Sequence, residues 1–165
     1  MGVVADVVVA VNVNLDYVKL KSVDDSIYYF AKDNLEYQRL DKQFSEKKQW
    51  VEGVPKLKTI SQIFKEHGGY EEIGSVKGSE LVGLEYIGPF DDLDAQNKPG
   101  GFPFINEELE KGGITSVMQH RVIDPGKDKI GNDIVVSGEG TGIVHMAPGC
   151  GDIDHKVGKD KGLIN

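Results

Sequence analysis

The chain of 165 residues contains one cysteine, Cys150, and one tryptophan. A single thiol cannot form an intrachain disulfide, so the fold needs no cross-link and cysteine pairing gives no information on the redox compartment. Long apolar runs are also missing: none approaches the roughly 20 apolar residues of a membrane span, and no basic region with an apolar run opens the sequence. We therefore predict a cytoplasmic protein that has no membrane partner.

Basic residues are in deficit. Lys and Arg number 19 against 27 Asp and Glu, which gives a formal net charge of -8. A general nucleic-acid binder needs a basic face that displaces counterions from phosphate, so the charge argues against this class, and any RNA contact is expected to be local and weak. The hydrophobic fraction of 39% is typical of a globular chain. We predict a single domain over residues 1–165.

Strand signals outnumber helix signals along the chain. Runs of β-branched and aromatic residues predict strands at 6–11, 16–21, 27–31, 71–76, 84–87, 114–123, 134–136 and 143–146. Residues 12–14 predict a hairpin or tight turn between the first two strands, and 124–126 predict a turn that lets 134–136 pair back onto 114–123. Helices are predicted at 33–44 and at 58–67, where Gly68 and Gly69 end the second, and 91–101 form a polar loop. The fold class is β-rich α+β.

The segment from Gly138 to Gly162 concentrates ionisable side chains around tight turns. Glycines at 138, 140 and 142 allow backbone angles that other residues avoid, so the chain can reverse there and enter the strand 143–146. Alternation along that strand places His145 on the same face as Ile143 and Ala147.

A helix is predicted after this strand. Pro148, Gly149 and Gly151 end the strand, and Asp152 is placed to cap a helix that runs to Gly162. The side chains of His145 and Asp154 could then lie together at the opening of one pocket. On spacing alone, Asp154 is explained as well by a structural cap, and His145 by a half-buried structural histidine.

Other chemistries fit the segment less well. The GEGTG segment leads into a predicted strand instead of a helix, and no Lys-Ser or Lys-Thr follows it. Both features argue against a phosphate-binding loop for a nucleotide. Metal-ligand types occur at His145, Cys150, Asp152, Asp154 and His155, but no standard zinc spacing is present, so no metal is predicted. A metal-dependent hydrolase and a non-catalytic, barrel-like binding module stay open as alternatives.

The same residues carry a family resemblance. Residues 140–154, GTGIVHMAPGCGDID, resemble the GTGIVH-x-APG-x-G-x-x-D motif of the editing domain, or connective polypeptide insertion, of isoleucyl-tRNA synthetases. Residues 6–21, 78–90 and 120–125 also resemble parts of that domain. His145 favours the isoleucyl branch over the valyl and leucyl branches, which usually lack it.

This resemblance implies a fold and an activity. The fold would be a small six-stranded closed barrel with peripheral helices. The activity would be hydrolysis, by water attack, of the ester that joins valine to the 3′ end of isoleucine tRNA. Asp154 would anchor the substrate ammonium and His145 would help to select the substrate, both as catalytic candidates. The implied substrate-binding residues are Gly140, Thr141, Gly142, Ala147, Pro148 and Gly149. Editing would need no cofactor, whereas the parent synthetase would use ATP and Mg.

The chain also departs from the family. It lacks the HIGH and KMSKS motifs of the ATP site, so we expect a piece of a larger synthetase whose remainder acts in cis. The family's threonine-rich strand is missing before Ala5, and the only threonines are Thr59, Thr115 and Thr141. We therefore expect this chain alone to hydrolyse the ester at close to the background rate.

Overall fold

The computed structural model describes residues 8–37, 58–88, 94, 120–148 and 150–163. The chain divides into two compact units. Unit 1 takes in the described residues of Met1–Val11, Leu81–Ile134 and Val144–Asn165, and unit 2 those of Asn12–Glu80 and Val135–Ile143. Each unit is therefore assembled from segments that are distant in the sequence.

The sheet of unit 2 has three antiparallel strands. They are β2 (Asp16–Ser22), β3 (Ile27–Ala31) and β4 (Tyr70–Lys77), in the order β3-β2-β4. The central strand β2 buries residues on both faces, since Tyr17, Val18 and Leu20 are all inaccessible to solvent. These strands confirm the predictions for 16–21, 27–31 and 71–76.

Helix α1 (Ile60–Glu66) confirms the helix predicted at 58–67. A capping box starts it: the Thr59 hydroxyl accepts from the Gln62 amide at 3.1 Å, and the Gln62 side chain accepts from the Thr59 amide at 2.9 Å. Gly68 and Gly69 follow with φ of 106° and 97°, a conformation that favours glycine. The helix end is therefore encoded locally.

Aromatic contacts join α1 to the sheet of unit 2. The Phe64 ring meets Tyr28, Phe30 and Tyr70 edge-on, with ring centroids 5.1, 5.8 and 5.7 Å apart. A groove of about 490 Å³ lies beside this cluster. Its lining residues are Ser22, Val23, Asp24, Tyr28, Phe30, Ile63, Phe64, His67 and Gly69. The groove includes none of the predicted site residues.

The second sheet has the strand order β5-β1-β6, with β1 (Val8–Val11), β5 (Val122–Ile123) and β6 (Ile143–Met146). β1 and β5 run parallel, with Val9 opposite Val122. The predicted strand 134–136 is not formed, so its pairing back onto the preceding strand is wrong. The return after the turn is limited to a bridge between Lys127 and Asp133.

Of the hairpin or tight turn predicted at residues 12–14, the structure contains the tight turn and not the hairpin. β1 and β2 belong to different sheets, although the tight turn itself is present, with the Leu15 amide donating to the Asn12 carbonyl at 3.2 Å. A β-branched run specifies a strand but not its partner, because pairing depends on distant residues.

Several predicted elements are shorter in the structure. The start of 33–44 appears as one 3₁₀ turn, Lys32–Asn34, and the predicted strand 84–87 appears as a single bridge between Glu85 and Arg121. Residues 38–44, 114–119 and all of the loop 91–101 except Asp94 lie outside the described residues. A short helix α2 (Gly78–Leu81) follows β4.

The fold class β-rich α+β is confirmed by two three-stranded sheets and short helices. Closure of six strands into one barrel stays a prediction. Within the described ranges, every helix is too short or too polar to cross a bilayer.

Candidate functional site

The glycine loop, residues 137–142, is held by the buried side chain of Asn34. The Gly138 amide donates to Asn34 Oδ1 at 2.7 Å. Asn34 Nδ2 in turn donates to the carbonyls of Glu139 at 2.8 Å and Gly140 at 3.2 Å. Asn34 is 1% exposed. One amide side chain therefore binds three consecutive residues of the loop.

The end of the loop is held by β2 and β3. The Ala31 amide donates to the Thr141 carbonyl at 2.9 Å, and the Tyr17 hydroxyl donates to the Gly142 carbonyl at 2.7 Å. The Tyr17 oxygen also accepts from the Asn12 amide at 3.0 Å. Burial raises the pKa of Tyr17, and the hydrogen bond from Asn12 opposes part of that rise. The phenol thus stays neutral at physiological pH.

Sequence reasoning missed the residues that hold the loop. Asn12 was placed in a turn, where its side chain does accept from the Asn14 amide at 2.9 Å, but Asn12 Nδ2 also donates to the Val135 carbonyl at 2.8 Å. Local propensity could reveal the first bond and not the second. For Asn34 and Tyr17 no sequence signal pointed to partners more than a hundred residues away.

The three glycines of the loop have the predicted left-handed conformation, with φ of 80° at Gly138, 54° at Gly140 and 75° at Gly142. Their surroundings differ. A Cβ at Gly142 would lie 2.2 Å from the Cβ of Ala31, whereas a Cβ at Gly140 would meet nothing within 4 Å. Gly142 is therefore required by close packing, and Gly140 by backbone conformation alone.

Thr141 turns its hydroxyl onto its own chain. Thr141 Oγ1 donates to the Ile143 carbonyl at 3.0 Å and lies 3.3 Å from the Ile143 nitrogen. These bonds join the loop to the first residue of β6. In the described structure the Thr141 side chain therefore stabilises the junction between the loop and β6.

His145 lies in β6 at an exposed position, as does Val144, while Met146 and Ala147 are buried. The alternative of a half-buried structural histidine therefore does not hold. An exposed imidazole can meet a ligand without first leaving a packed core.

Helix α3 (Asp152–Asp160) does not begin as predicted. Gly151 occupies the N-cap position without a side-chain hydrogen bond, and Asp152 lies inside the first turn. The predicted cap at Asp152 is wrong because Asp152 is itself the first helical residue, so the helix starts one residue earlier than that prediction required. Carboxylates in a first turn still interact favourably with the helix dipole.

Asp154 ties the helix to the end of β6. The Ala147 amide donates to Asp154 Oδ2 at 3.1 Å, and His155 Nδ1 lies 3.3 Å from the Pro148 carbonyl. A carboxylate has about four acceptor positions, so one amide fixes its orientation and leaves capacity for a cation. Gly149 lies outside the described residues.

The predicted site residues fall into both units. Gly140, Thr141 and Gly142 belong to unit 2, and His145, Ala147, Pro148 and Asp154 belong to unit 1. Among the described residues, no group of three or more His, Cys, Asp or Glu side chains is placed to hold a metal ion. The absence of a metal requirement stays a prediction. Cys150 is a free, exposed thiol.

Comparison with known proteins finds relatives of this chain among the isoleucine–tRNA ligases. No family model matches the chain. An isoleucine–tRNA ligase of Sulfolobus acidocaldarius is 31% identical over 156 residues, which cover 94% of this chain. The chain is related to one segment of the isoleucine–tRNA ligases. Isoleucine–tRNA ligase 2 of Bacillus cereus is 26% identical over 159 residues, 96% of the chain, and the Rickettsia peacockii enzyme 34% over 107 residues, 64% of the chain. The chain spans 10% of the first two ligases and 7% of the third.

Proposed function

We propose that this ligase segment is an editing domain, which hydrolyses the ester between valine and the 3′ end of isoleucine tRNA. The observation that carries the proposal is the Asp154 carboxylate, held at 3.1 Å by the Ala147 amide inside the GTGIVH-x-APG-x-G-x-x-D signature. Every aminoacyl ester carries an α-ammonium group, and a fixed carboxylate is the side chain suited to bind it. The kinship with ligases supports the choice of tRNA as substrate.

The reaction is an ester hydrolysis. A water oxygen bonds to the ester carbonyl carbon, the bond from that carbon to the ribose oxygen breaks, and a proton from water goes to the ribose oxygen. The products are valine and tRNA with a free terminal hydroxyl. In this proposal the protein positions the ester and water and needs no cofactor of its own.

Selection between amino acids is assigned to the pocket wall. His145 is exposed in β6, two residues before Ala147, whose amide holds Asp154. A side chain at this place can contact the valine side chain while Asp154 binds the ammonium. The proposal includes the six-stranded closed barrel that the family resemblance implies, with a pocket that admits valine and excludes the larger isoleucine.

The partners follow from the substrate. They are the 3′ end of aminoacylated isoleucine tRNA and the remainder of the synthetase in cis. The net charge of -8 suits a protein that contacts only the end of the tRNA and leaves binding of the RNA body to other parts of the enzyme.

The test compares deacylation of Val-tRNA and Ile-tRNA, both with isoleucine tRNA. It uses the chain itself and a version extended by a threonine-rich strand before Ala5, which we expect to be the faster of the two. The extended version should hydrolyse the valyl ester and spare the isoleucyl ester. Equal rates on both esters would contradict the isoleucyl assignment, and no hydrolysis by either version would favour a binding module instead.

A further inference from the structure

The carbonyls of residues 139–142 in the glycine loop all accept hydrogen bonds from the protein. Each residue from Gly138 to Gly142 gives one backbone group to Asn34, Ala31 or Tyr17. Four of those five groups are the consecutive carbonyls of residues 139–142. Asn34 and Tyr17 are buried polar side chains, and their burial is tolerated because these bonds satisfy them.

Three consecutive amides of the same loop are left open. Among the hydrogen bonds of the described residues, the amides of Glu139, Gly140 and Thr141 have no acceptor. Glu139 and Gly140 are exposed and Thr141 is partly exposed. Successive amides in a turn with positive φ can form a concave donor site for an anion or a polarised carbonyl oxygen. In ester hydrolysis, negative charge develops on the carbonyl oxygen, and fixed amide donors stabilise it.

We propose that Asn34 and Tyr17 are positioning residues that hold the glycine loop so that the amides of Gly140 and Thr141 donate to the carbonyl oxygen of the aminoacyl ester. The inference rests on the proposed editing function, because it assigns a task within that reaction. Neither side chain touches the substrate in this assignment. They act by binding the opposite side of the loop, so that the donors need no reorganisation when charge develops.

The first part of the test measures the loop without any reaction. Amide hydrogen exchange is followed by NMR in the chain and in the variants Asn34→Ala and Tyr17→Phe, with Tyr29→Phe on β3 as the matched control. Asn34→Ala removes the acceptor of the Gly138 amide. Tyr17→Phe removes the donor to the Gly142 carbonyl, and the Gly142 amide, which donates to the Glu139 carbonyl at 3.3 Å within the loop, reports on that loss. We expect each of these amides to exchange about tenfold faster in its own variant and at the unmodified rate in Tyr29→Phe.

The second part measures hydrolysis of Val-tRNA in the version extended by the threonine-rich strand. Loosened donors should lower kcat at least about tenfold while KM changes less than about twofold, because neither Asn34 nor Tyr17 touches the substrate. A variant that had merely lost folded protein would lower the active fraction and leave the kcat of the remainder unchanged. Where Asn34→Ala does not fold, Tyr17→Phe decides, since it keeps the buried ring.

The outcomes separate the two proposals. If the unmodified protein hydrolyses the ester and both variants have the same kcat, the positioning role is wrong and the editing function stands. If the amides of Gly138 and Gly142 exchange no faster in the variants, the loop is held by other contacts and the positioning role is again wrong. If the unmodified extended protein does not hydrolyse Val-tRNA at all, the editing function is wrong, and the role assigned to the loop fails with it.

Discussion

Replacing Asp154 by asparagine or by alanine separates two tasks of one carboxylate. Asparagine keeps an oxygen that can accept from the Ala147 amide, whereas alanine leaves this amide, in a residue that is 4% exposed, without its acceptor. An unsatisfied buried donor costs about 1 to 3 kcal/mol. Loss of a first-turn negative charge costs about 0.3 to 1 kcal/mol. We therefore expect Asp154→Ala to lower the free energy of unfolding by about 1 to 4 kcal/mol and Asp154→Asn by no more than about 1 kcal/mol.

Hydrolysis should depend on the charge instead. A hydrogen bond to a charged group contributes about 1.5 to 3 kcal/mol, so both variants should deacylate Val-tRNA about 10 to 150 times more slowly in the extended protein. Urea titration measures the first effect and single-turnover deacylation the second. Asp152→Asn is the control, because Asp152 is an exposed carboxylate in the same first turn. A normal rate in Asp154→Asn would refute the ammonium anchor, and equal urea midpoints for the two Asp154 variants would refute the tether to Ala147.

Four further changes have defined outcomes. Gly142→Ala should lower the free energy of unfolding by more than about 2 kcal/mol, because its Cβ would meet Ala31 at 2.2 Å, whereas Gly140→Ala should cost only about 1 kcal/mol of backbone strain; urea titration compares them. His145→Ala should reduce the preference for Val-tRNA over Ile-tRNA and change stability by less than about 0.5 kcal/mol, and a lower urea midpoint with unchanged preference would make His145 structural. Raising the pH above about 10 should destabilise the protein more than its Tyr17→Phe variant. Because the pKa of Tyr17 is higher in the folded than in the unfolded protein, Tyr17 contributes stability that is fully present below the ordinary tyrosine pKa. This contribution is lost as the pH rises through the folded-state pKa. Urea midpoints at about pH 8 and 11 measure the difference. Chelation with EDTA should leave the thermal midpoint and deacylation unchanged, and a stoichiometric zinc whose removal unfolds the protein would contradict this.

Local elements of this fold could be predicted from the sequence. β3 and β6 match their predicted ranges because an aromatic or β-branched run bounded by turn residues has few other solutions. Helix α1 could be predicted because Gly68 and Gly69 mark its end within the same stretch of chain.

Partners distant in the sequence could not be predicted in the same way. The run at 6–11 looks the same whether it pairs with the next strand or with Val122–Ile123, and tertiary packing decides. The N-cap of the last helix is Gly151 in the structure and not Asp152 as predicted. An extended glycine precedes the first turn, and Asp154 within that turn accepts from the amide of Ala147. The motif could locate the candidate site, but not the residues that support it.

The bonds from Asn34 and Tyr17 to the glycine loop also set an order of events during translation. When the ribosome has made residues up to Glu80, most of unit 2 exists, yet the carbonyls that these two side chains bind have not been synthesised. At about 5 to 20 residues per second, the remaining stretch of about 60 residues takes about 3 to 12 seconds. Until then the nascent unit carries polar groups that water must hydrate. The last residues of unit 2 to be synthesised are thus the ones that allow Asn34 and Tyr17 to become buried.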